Sequence, residues 1–453
     1  MYQVSKDRQL DAKLIEEAIE YSESNRQRLD MLNNYYLGEQ EITRRVKQDT
    51  LKNNRLVVNH AKYITDLYVG YLLGNPVDYQ VDDDKLDIQP LLDAYKRQTM
   101  ENIDVEIAKD CSIFGRQYEY VYADESANPC SVVLDSRNTV VVYDDTMVHH
   151  KLYGIHYRPM FKNPRDKKPS YYEVIAMTDR EIIKYTLKNG QAMEQSREQH
   201  SFGAVPLVEY KNNAELKGDF EPVISLIDAY NLVQSDRVND REQLVDAILC
   251  FYGMAFDADQ MADLKEKRAL ANIPPDGKVE YLTKTINEGD VDVLRQTIEQ
   301  DIHKISMVPN ISDQNFVGNS SGVAIRYKLL AFEQAVKNKE RFFEKALMER
   351  FALYTHFLAV KSTMQEVKKE DVDAVFTRNL PSNDYETSQM ITNLDGIVDR
   401  ELLASQLSFV KDASKTVEAA KQESDKPLKD DEYATNDYPD HNALDSASNS
   451  LNG

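Results

Sequence analysis

The sequence has few cysteines and no long apolar run. Its three cysteines, Cys111, Cys130 and Cys250, lie far apart. An odd number of widely spaced cysteines argues against a disulfide framework and favours a reducing compartment. Residues 1–20 are charged and lack the apolar core of a signal peptide, and the most apolar stretch, residues 63–73, is too short to span a bilayer. We therefore expect a protein that is assembled in a cytoplasm, without a membrane partner.

Catalytic motifs are also lacking. Gly277-Lys278 has neither the preceding glycine nor the following Ser/Thr of a P-loop, and the sequence contains no H-E-x-x-H or G-x-S-x-G. His149, His150 and His156 are close in sequence, but neighbouring histidines on a strand would point to opposite faces. We expect them to be ordinary histidines rather than metal ligands.

One acidic cluster suggests an alternative. Asp82, Asp83 and Asp84 follow a predicted strand and could belong to a two-metal nuclease site. Adjacent carboxylates are more typical of a solvated turn, so the nuclease stays the weaker hypothesis. We expect no enzymatic activity, no cofactor and no bound metal.

Basic residues are too few for a protein that grips nucleic acid. Lys and Arg total 55 and Asp and Glu total 77, so the net charge is 55 − 77 = −22. Because phosphate neutralisation supplies most non-specific affinity for nucleic acid, a tight DNA clamp is unfavourable. An acidic wall past which DNA slides is compatible with this charge, although solubility alone also explains it.

The first half of the chain is predicted to be α+β. Apolar residues at helical spacing predict a helix from Leu14 to about Tyr36, which Gly38 ends, and further helices at 57–73 and 91–111. Short runs rich in Val, Ile and Tyr then predict strands at 118–122, 131–134, 139–143, 153–158, 171–177 and 181–187. Lys188-Asn189-Gly190 is typical of a hairpin turn.

After Glu221 the chain is predicted to be mainly helical. A helix is expected from residue 222 to about 252, yet between Gln234 and Gln243 its only apolar residue is Val238. Such a helix must face water or pack through polar contacts.

Charged residues on this helix form two stripes. Asp236 and Asp240 share one face, and Arg237 and Arg241 share the neighbouring face. Copies arranged in a ring would set the acidic stripe against the basic one, while a solvated helix face is the simpler interpretation.

The remaining chain is predicted to contain two more long helices. An insert at 251–288, with a helix at 257–271, a turn at 273–277 and a strand at 279–282, precedes a helix at 289–307. A long loop at 309–321 leads to a helix of about 40 residues, or about 60 Å, with a polar run at 337–341 where it could bend. A strand at 372–376 and shorter helices follow, and the polar, acidic tail from 423 is expected to be disordered.

Three segments resemble the portal proteins of long-tailed bacteriophages that infect Gram-positive bacteria. They are LKNNRLVVNHAKYI at 51–64 with GYLLGNPV at 70–77, FEPVISLIDAYN at 220–231, and VPNISD at 308–313 with GNSSGVA at 318–324 and YKLL at 327–330. Their order and spacing are similar to those of the family, and the resemblance covers about residues 20–420.

The resemblance implies an α+β, mainly helical portal fold that assembles as a ring, usually of twelve subunits. The implied parts are a wing (1–221), a first stem helix (222–250), a clip (251–288), a second stem helix (289–308), a tunnel loop (309–321), a long helix to the crown (322–364), and a wing strand with crown helices (365–422).

Site residues follow from these parts. Stem contacts between subunits are expected at Asp236, Arg237, Asp240 and Arg241. The expected DNA-proximal residues are Asn310, Gln314, Asn315, Phe316, Asn319 and Ser320. The expected clip contacts to terminase and adaptors are Asp257, Asp259, Asp263, Lys265 and Lys267.

The function implied is that of a portal subunit at a capsid vertex of the virion. The ring would guide double-stranded DNA during packaging and ejection, dock the terminase large subunit and head-completion adaptors, and contact major capsid and scaffolding proteins. Another phage connector or scaffold component is the alternative.

Overall fold

The computed structural model describes most of the chain, namely residues 1–48, 52–81, 86–163, 165–166, 168–245, 248–253, 277–282, 288–311, 322–378, 384–407, 410 and 413–424. The chain divides into two compact units, residues 1–379 and 380–453.

Helices of the first unit lie at both ends of its sequence. They are α1 (Ala12–Leu37), α2 (His60–Leu73), α3 (Gln89–Arg97), α4 (Met100–Phe114), α5 (Ile224–Val245), α6 (Glu288–Ser306) and α7 (Gly322–Val360).

Most strands lie between α4 and α5. They are β1 (Tyr2–Val4), β2 (Asp78–Val81), β3 (Arg116–Ala123), β4 (Pro129–Leu134), β5 (Thr139–Asp144), β6 (Lys151–Met160), β7 (Tyr171–Met177), β8 (Glu181–Lys188), β9 (Gln191–Gln199), β10 (Leu207–Lys211), β11 (Ile248–Tyr252), β12 (Lys278–Leu282) and β13 (Val372–Val375).

Helix α1 confirms the first helical prediction. The Asp11 carboxylate accepts the backbone N–H of Leu14 at 2.8 Å and caps the helix. Gly38 ends it with φ +87°, a left-handed conformation that glycine adopts without steric cost. Its apolar face packs on a six-stranded sheet of order β1-β5-β6-β7-β8-β9, in which β1 is parallel to β5 and the other pairs are antiparallel.

The prediction of a single helix at 91–111 is wrong, because two helices, α3 and α4, cover these residues. The helical conformation is interrupted at Thr99, which has φ +51°. The break leaves the side chain of Gln98 free to bind the edge of β4. Its Oε1 accepts the N–H of Ser131 at 2.7 Å, and its Nε2 donates to the carbonyl of Pro129 at 2.9 Å.

All six predicted strands are confirmed as β3 to β8, with ends shifted by at most two residues. The predicted turn is confirmed too, because Asn189 (φ +49°) and Gly190 (φ +72°) join β8 to β9. Strand β9 had not been predicted. Its sequence, QAMEQSREQ, is almost entirely polar and lies at the edge of the sheet, so it lacks the apolar alternation that predicts a strand.

A second, three-stranded sheet of order β10-β3-β4 lies within the main core. The guanidinium of Arg350 on α7 is fully buried there and donates to Asp104 on α4 at 2.6 Å. Glu119 on β3 lies 3.6 Å from the same guanidinium. Burial raises the pKa of both carboxyl groups, an effect that the charge of Arg350 opposes.

His149 and His150 lie outside the strands. Both belong to the turn between β5 and β6, and His149 has φ +55°. The ring of His150 lies 2.9 Å from Asp144, whereas His156 on β6 contacts Thr139 at 3.0 Å. These histidines therefore do not form one cluster.

The helix predicted at 222–252 ends earlier than expected, at Val245. Residues 248–252, Ile-Leu-Cys-Phe-Tyr, form β11 and pair antiparallel with β12, so that Cys250 faces Glu280. Apolar β-branched and aromatic residues favour a strand once a partner strand is present. The strand predicted at 279–282 is confirmed as β12, while the helix at 257–271 and most of the turn at 273–277 lie outside the described residues.

The long helix is confirmed as α7, with 39 residues and a length of about 59 Å. It continues through the polar run at 337–341, where Lys339 is buried and its ammonium donates to Asp219. Strand β13 confirms the prediction at 372–376 and pairs with β2.

The second unit contains short helices. They are α8 (Asp384–Leu394), α9 (Arg400–Ala404) and α10 (Ala413–Ser424). Leu403 and Val417 are buried in this unit. The acidic tail after residue 424 lies outside the described residues.

Candidate functional site

The candidate site is the helix pair α5 and α6 with the segments that support it. Helix α5 buries a stripe of polar residues beside the apolar residues Ile227 and Tyr230, which pack in the main core. Asn231 and Ser235 are fully buried and Asn239 is 2% exposed. Positions four residues apart lie on one face of a helix, so this stripe runs along α5 and requires hydrogen-bond partners.

The partners are backbone amides of the extended segment 52–58. The N–H groups of Val58, Leu56 and Asn54 donate to the side-chain oxygens of Asn231 (2.8 Å), Ser235 (2.9 Å) and Asn239 (2.8 Å) in that order. We call this arrangement the amide ladder.

The two spacings in the amide ladder match. Four helical residues rise about 6.0 Å, and two extended residues rise about 6.4–6.8 Å. Every second amide of the extended segment therefore meets every fourth residue of α5. Of the two alternatives for this helix, facing water or packing through polar contacts, the stripe of Asn231, Ser235 and Asn239 follows the second, and its partner is a segment of the same chain.

Gln40 joins the amide ladder to α1. Its side-chain Oε1 accepts from Asn231 at 2.5 Å, and its Nε2 donates to the carbonyl of Tyr35 and to Asn59, both at 3.1 Å. Gln40 is fully buried, so these bonds satisfy a side-chain amide that water does not reach.

The predicted stem residue Asp236 forms ion pairs within the chain. Asp236 accepts from Arg45 at 2.9 Å and Lys47 at 2.8 Å. Partial burial alone would raise its pKa, but the hydrogen bonds from Lys47, Asn239 and Arg45 hold the pKa of Asp236 below its usual value. These contacts tie α5 to the segment that follows α1.

Helices α5 and α6 are tied to each other as well. Arg237 on α5 lies 3.5 Å from Asp292 on α6. Arg295 on α6 donates to the hydroxyl of Tyr230 on α5 at 3.4 Å and to Glu299 at 2.8 Å. The pair is therefore linked by charged contacts within one chain.

All four predicted stem residues line one groove between α5 and α6. The groove has a volume of about 230 Å³, and Leu232, Val233, Val291 and Leu294 contribute its apolar lining. Leu232 and Leu294 are 44% and 51% exposed, so this face of the helix pair is part apolar and part charged.

The described part of the predicted tunnel loop is its beginning. Asn310 donates from Nδ2 to Glu299 on α6 at 3.3 Å. The predicted loop residues Gln314, Asn315, Phe316, Asn319 and Ser320 lie outside the described residues.

Five charged residues were predicted as clip contacts. Asp257, Asp259, Asp263, Lys265 and Lys267 lie outside the described residues, as do Asp82, Asp83 and Asp84. Within the described ranges, no group of three or more His, Cys, Asp or Glu side chains could hold a metal ion. None of the helices in that part of the chain is long and apolar enough to cross a membrane.

The hydrogen bonds between α5 and segment 52–58 were not predicted from the sequence. The polar residues Asn231, Ser235 and Asn239 recur at helical spacing in the sequence and are the signal for a polar face on α5. The partner could not be predicted because backbone amides leave no mark in a sequence.

Comparison with known proteins identifies the class as phage portal proteins. Residues 15–431 match the family described as "Phage portal protein, SPP1 Gp6-like". The chain belongs to this family.

Two relatives agree. The portal protein of Bacillus phage SPP1 is 23% identical over 416 residues, which cover 86% of this chain and 82% of the relative. The portal protein of Clostridium phage phiCD119 is 22% identical over 429 residues, which cover 86% of this chain and 91% of the relative. The chain is a phage portal subunit with a structural role, and the resemblance inferred from the three segments is confirmed.

Proposed function

We propose that twelve copies of the chain close into a ring at one capsid vertex, after assembly in the host cytoplasm. Double-stranded DNA passes through the central tunnel during packaging and ejection. The observation that carries this proposal is the order of parts along the chain. Helix α5 precedes β11, α6 follows β12, the two strands pair with each other, and a 39-residue helix comes after α6.

Each part has a role in the proposal. Helices α5 and α6 form the stem, residues 251–288 form the clip, and residues 309–321 form the tunnel loop. The α+β region of residues 1–221 forms the wing together with β13, α7 leads towards the crown, and α8 to α10 are the crown helices.

Charge supports passage of DNA rather than capture. The chain has a net charge of −22, and residues 309–321 contain neither Lys nor Arg. A wall without cations does not neutralise phosphates, so DNA is not held at fixed positions. The force comes from the terminase motor docked at the clip, where Asp257, Asp259, Asp263, Lys265 and Lys267 provide contacts. Adaptors dock there later, and capsid and scaffolding proteins surround the ring.

Neighbouring subunits meet along the stem groove. Asp236 remains 44% exposed at its side chain and Arg237 30%, so a neighbour can reach both despite their partners within the chain. We propose that Asp236, Arg237, Asp240 and Arg241 pair between subunits. Each exposed pair contributes only about 0.2–1 kcal/mol, but a closed ring repeats the contact at every interface.

Negative-stain electron microscopy of the purified protein tests the ring. We expect particles with a central hole, and mass measurement by light scattering should give twelve copies. A monomer at all assembly concentrations would contradict the proposal, and a ring of another size would contradict only the number of subunits.

A further inference from the structure

The backbone after the end of α6 has an unfavourable conformation, which contacts with other residues must stabilise. Ser306 ends the helix, and Met307 follows with φ +58°. This left-handed conformation is unfavourable for a residue with a Cβ atom. Val308 is then 1% exposed, and its carbonyl lies 3.0 Å from the ring of His303 on α6.

Two tyrosines of α2 form hydrogen bonds with the backbone at residues 306–311. The hydroxyl of Tyr68 donates to the carbonyl of Ser306 at 2.9 Å. The hydroxyl of Tyr63 donates to the carbonyl of Pro309 at 2.9 Å and accepts the N–H of Ile311 at 3.3 Å. Side chains of α2 therefore satisfy backbone groups at the C-terminal end of α6, which has no further turn to do so.

The same face of α2 contacts α7. The rings of Tyr68 and Tyr71 lie 5.0 Å and 4.9 Å from the ring of Phe332, measured between centroids. The hydroxyl of Tyr71 donates to Glu333 at 2.5 Å, and the ammonium of Lys339 lies 4.6 Å from the Tyr68 ring centroid. One short helix thus contacts both helices that flank residues 312–321.

We propose that Tyr63 and Tyr68 are positioning residues, which fix the direction of the backbone at residues 306–311 relative to α7. In this way α2 sets the separation and direction of the two ends of segment 309–321. The inference rests on the proposed function, in which that segment approaches DNA. It adds a coupling between helices: because α2 contacts both α6 and α7, a displacement of α6 also displaces α7.

Tyr63→Phe and Tyr68→Phe test the inference, since each removes one hydroxyl and keeps the ring. Tyr36→Phe is the matched control, because the hydroxyl of Tyr36 also binds α2, through Asp66 at 3.1 Å, but on its exposed side. In Tyr63→Phe we expect hydrogen exchange of the Ile311 amide to rise about tenfold, as for the loss of one hydrogen bond.

Function is measured in a phage that lacks its own portal gene and receives the variant gene. We expect both variants to form rings at the wild-type yield and to package several-fold less DNA, while Tyr36→Phe packages the normal amount. Unchanged exchange at Ile311 in Tyr63→Phe would overturn the inference. Faster exchange together with normal packaging would overturn it as well, because the contact would then have only a structural role.

A deletion of residues 314–319 separates this inference from the function on which it rests. If the deletion leaves packaging unchanged, the segment does not act on DNA and the proposed role of the loop fails. If the deletion reduces packaging but Tyr63→Phe and Tyr68→Phe do not, only the role of the two tyrosines fails.

Discussion

Asn231 on α5 accepts the backbone N–H of Val58 through a 2.8 Å hydrogen bond, and both groups belong to segments that resemble the portal family. The contact joins residues 173 positions apart. Ile227 and Tyr230 pack α5 into the core, and the buried polar side chains that follow them give the extended segment the hydrogen bonds that a neighbouring strand would otherwise supply. The first and second family-like segments are therefore one structural element.

Loss of one acceptor of the amide ladder should destabilise this element. Ser235→Ala removes the acceptor of the Leu56 amide from a part-buried hydrogen bond, which costs about 0.5–1.5 kcal/mol. The midpoint of urea unfolding should fall, and hydrogen exchange at Leu56 should accelerate. Ser225→Ala is the matched control, because Ser225 is exposed on the same helix. Equal midpoints for the two variants would contradict a role of the ladder in stability.

The buried Arg350 should matter more than any surface ion pair. Arg350→Met leaves Asp104 and Glu119 without their cation, and breaking a buried pair costs about 3–5 kcal/mol. Arg158→Met is the control, because its ion pair with Glu173 in the same unit is exposed and should contribute at most about 1 kcal/mol. Thermal unfolding compares the two.

A second comparison isolates the charge effect. Adding Asp104→Asn and Glu119→Gln to Arg350→Met should recover part of the lost stability, because no carboxylate then stays buried without a counter-ion. If the triple variant unfolds at a lower temperature than Arg350→Met, the hydrogen bonds of the two carboxylates matter more than their charge.

His60 should make stability depend on pH. Burial, with a smaller effect of the nearby His303, lowers the pKa of His60 from 6.5 to about 4, and Glu299 opposes the shift. Above pH 6.5 the histidine is neutral in both the folded and the unfolded chain. Below pH 6.5 the unfolded chain binds the proton first, so stability falls as the pH drops towards 4, by about 3 kcal/mol in total.

His60→Phe should remove this dependence and keep the edge-to-face contact with Tyr230. The measurement is the free energy of unfolding at several values of pH between 7 and 4, taken as the difference between wild type and variant. A difference that stays constant over this range would show that His60 does not titrate as its burial implies.

Local patterns in the sequence predicted most elements but not their partners. The long helix α7, the strands β3 to β8 and the Asn189-Gly190 turn follow from periodicity and turn chemistry, which depend on neighbouring residues. The end of α5 could not be predicted, because residues 248–252 become a strand only through pairing with 278–282. Asp236 and Arg237 were expected to contact a neighbouring subunit. Within one chain, Asp236 binds Arg45 and Lys47, and Arg237 lies close to Asp292.

The proposed stem contact gives the last prediction. Reversal of both basic residues, Arg237→Glu with Arg241→Glu, sets acidic stripes against each other in neighbouring copies, so ring yield should fall while the monomer stays folded. Light scattering measures the yield, and circular dichroism checks the fold. Arg241→Glu alone leaves the contact of Arg237 with Asp292 within the chain in place, and its ring yield is measured beside that of the double reversal.

A charge swap provides the control for that test. Asp240→Arg combined with Arg241→Glu exchanges the charges of residues 240 and 241. Each reversed residue then again meets an opposite charge on the neighbouring copy. Ring yield should return towards the wild-type value if the two positions pair across the interface. If the swap assembles no better than Arg241→Glu alone, or if Arg241→Glu already assembles normally, these residues do not hold neighbouring stems together.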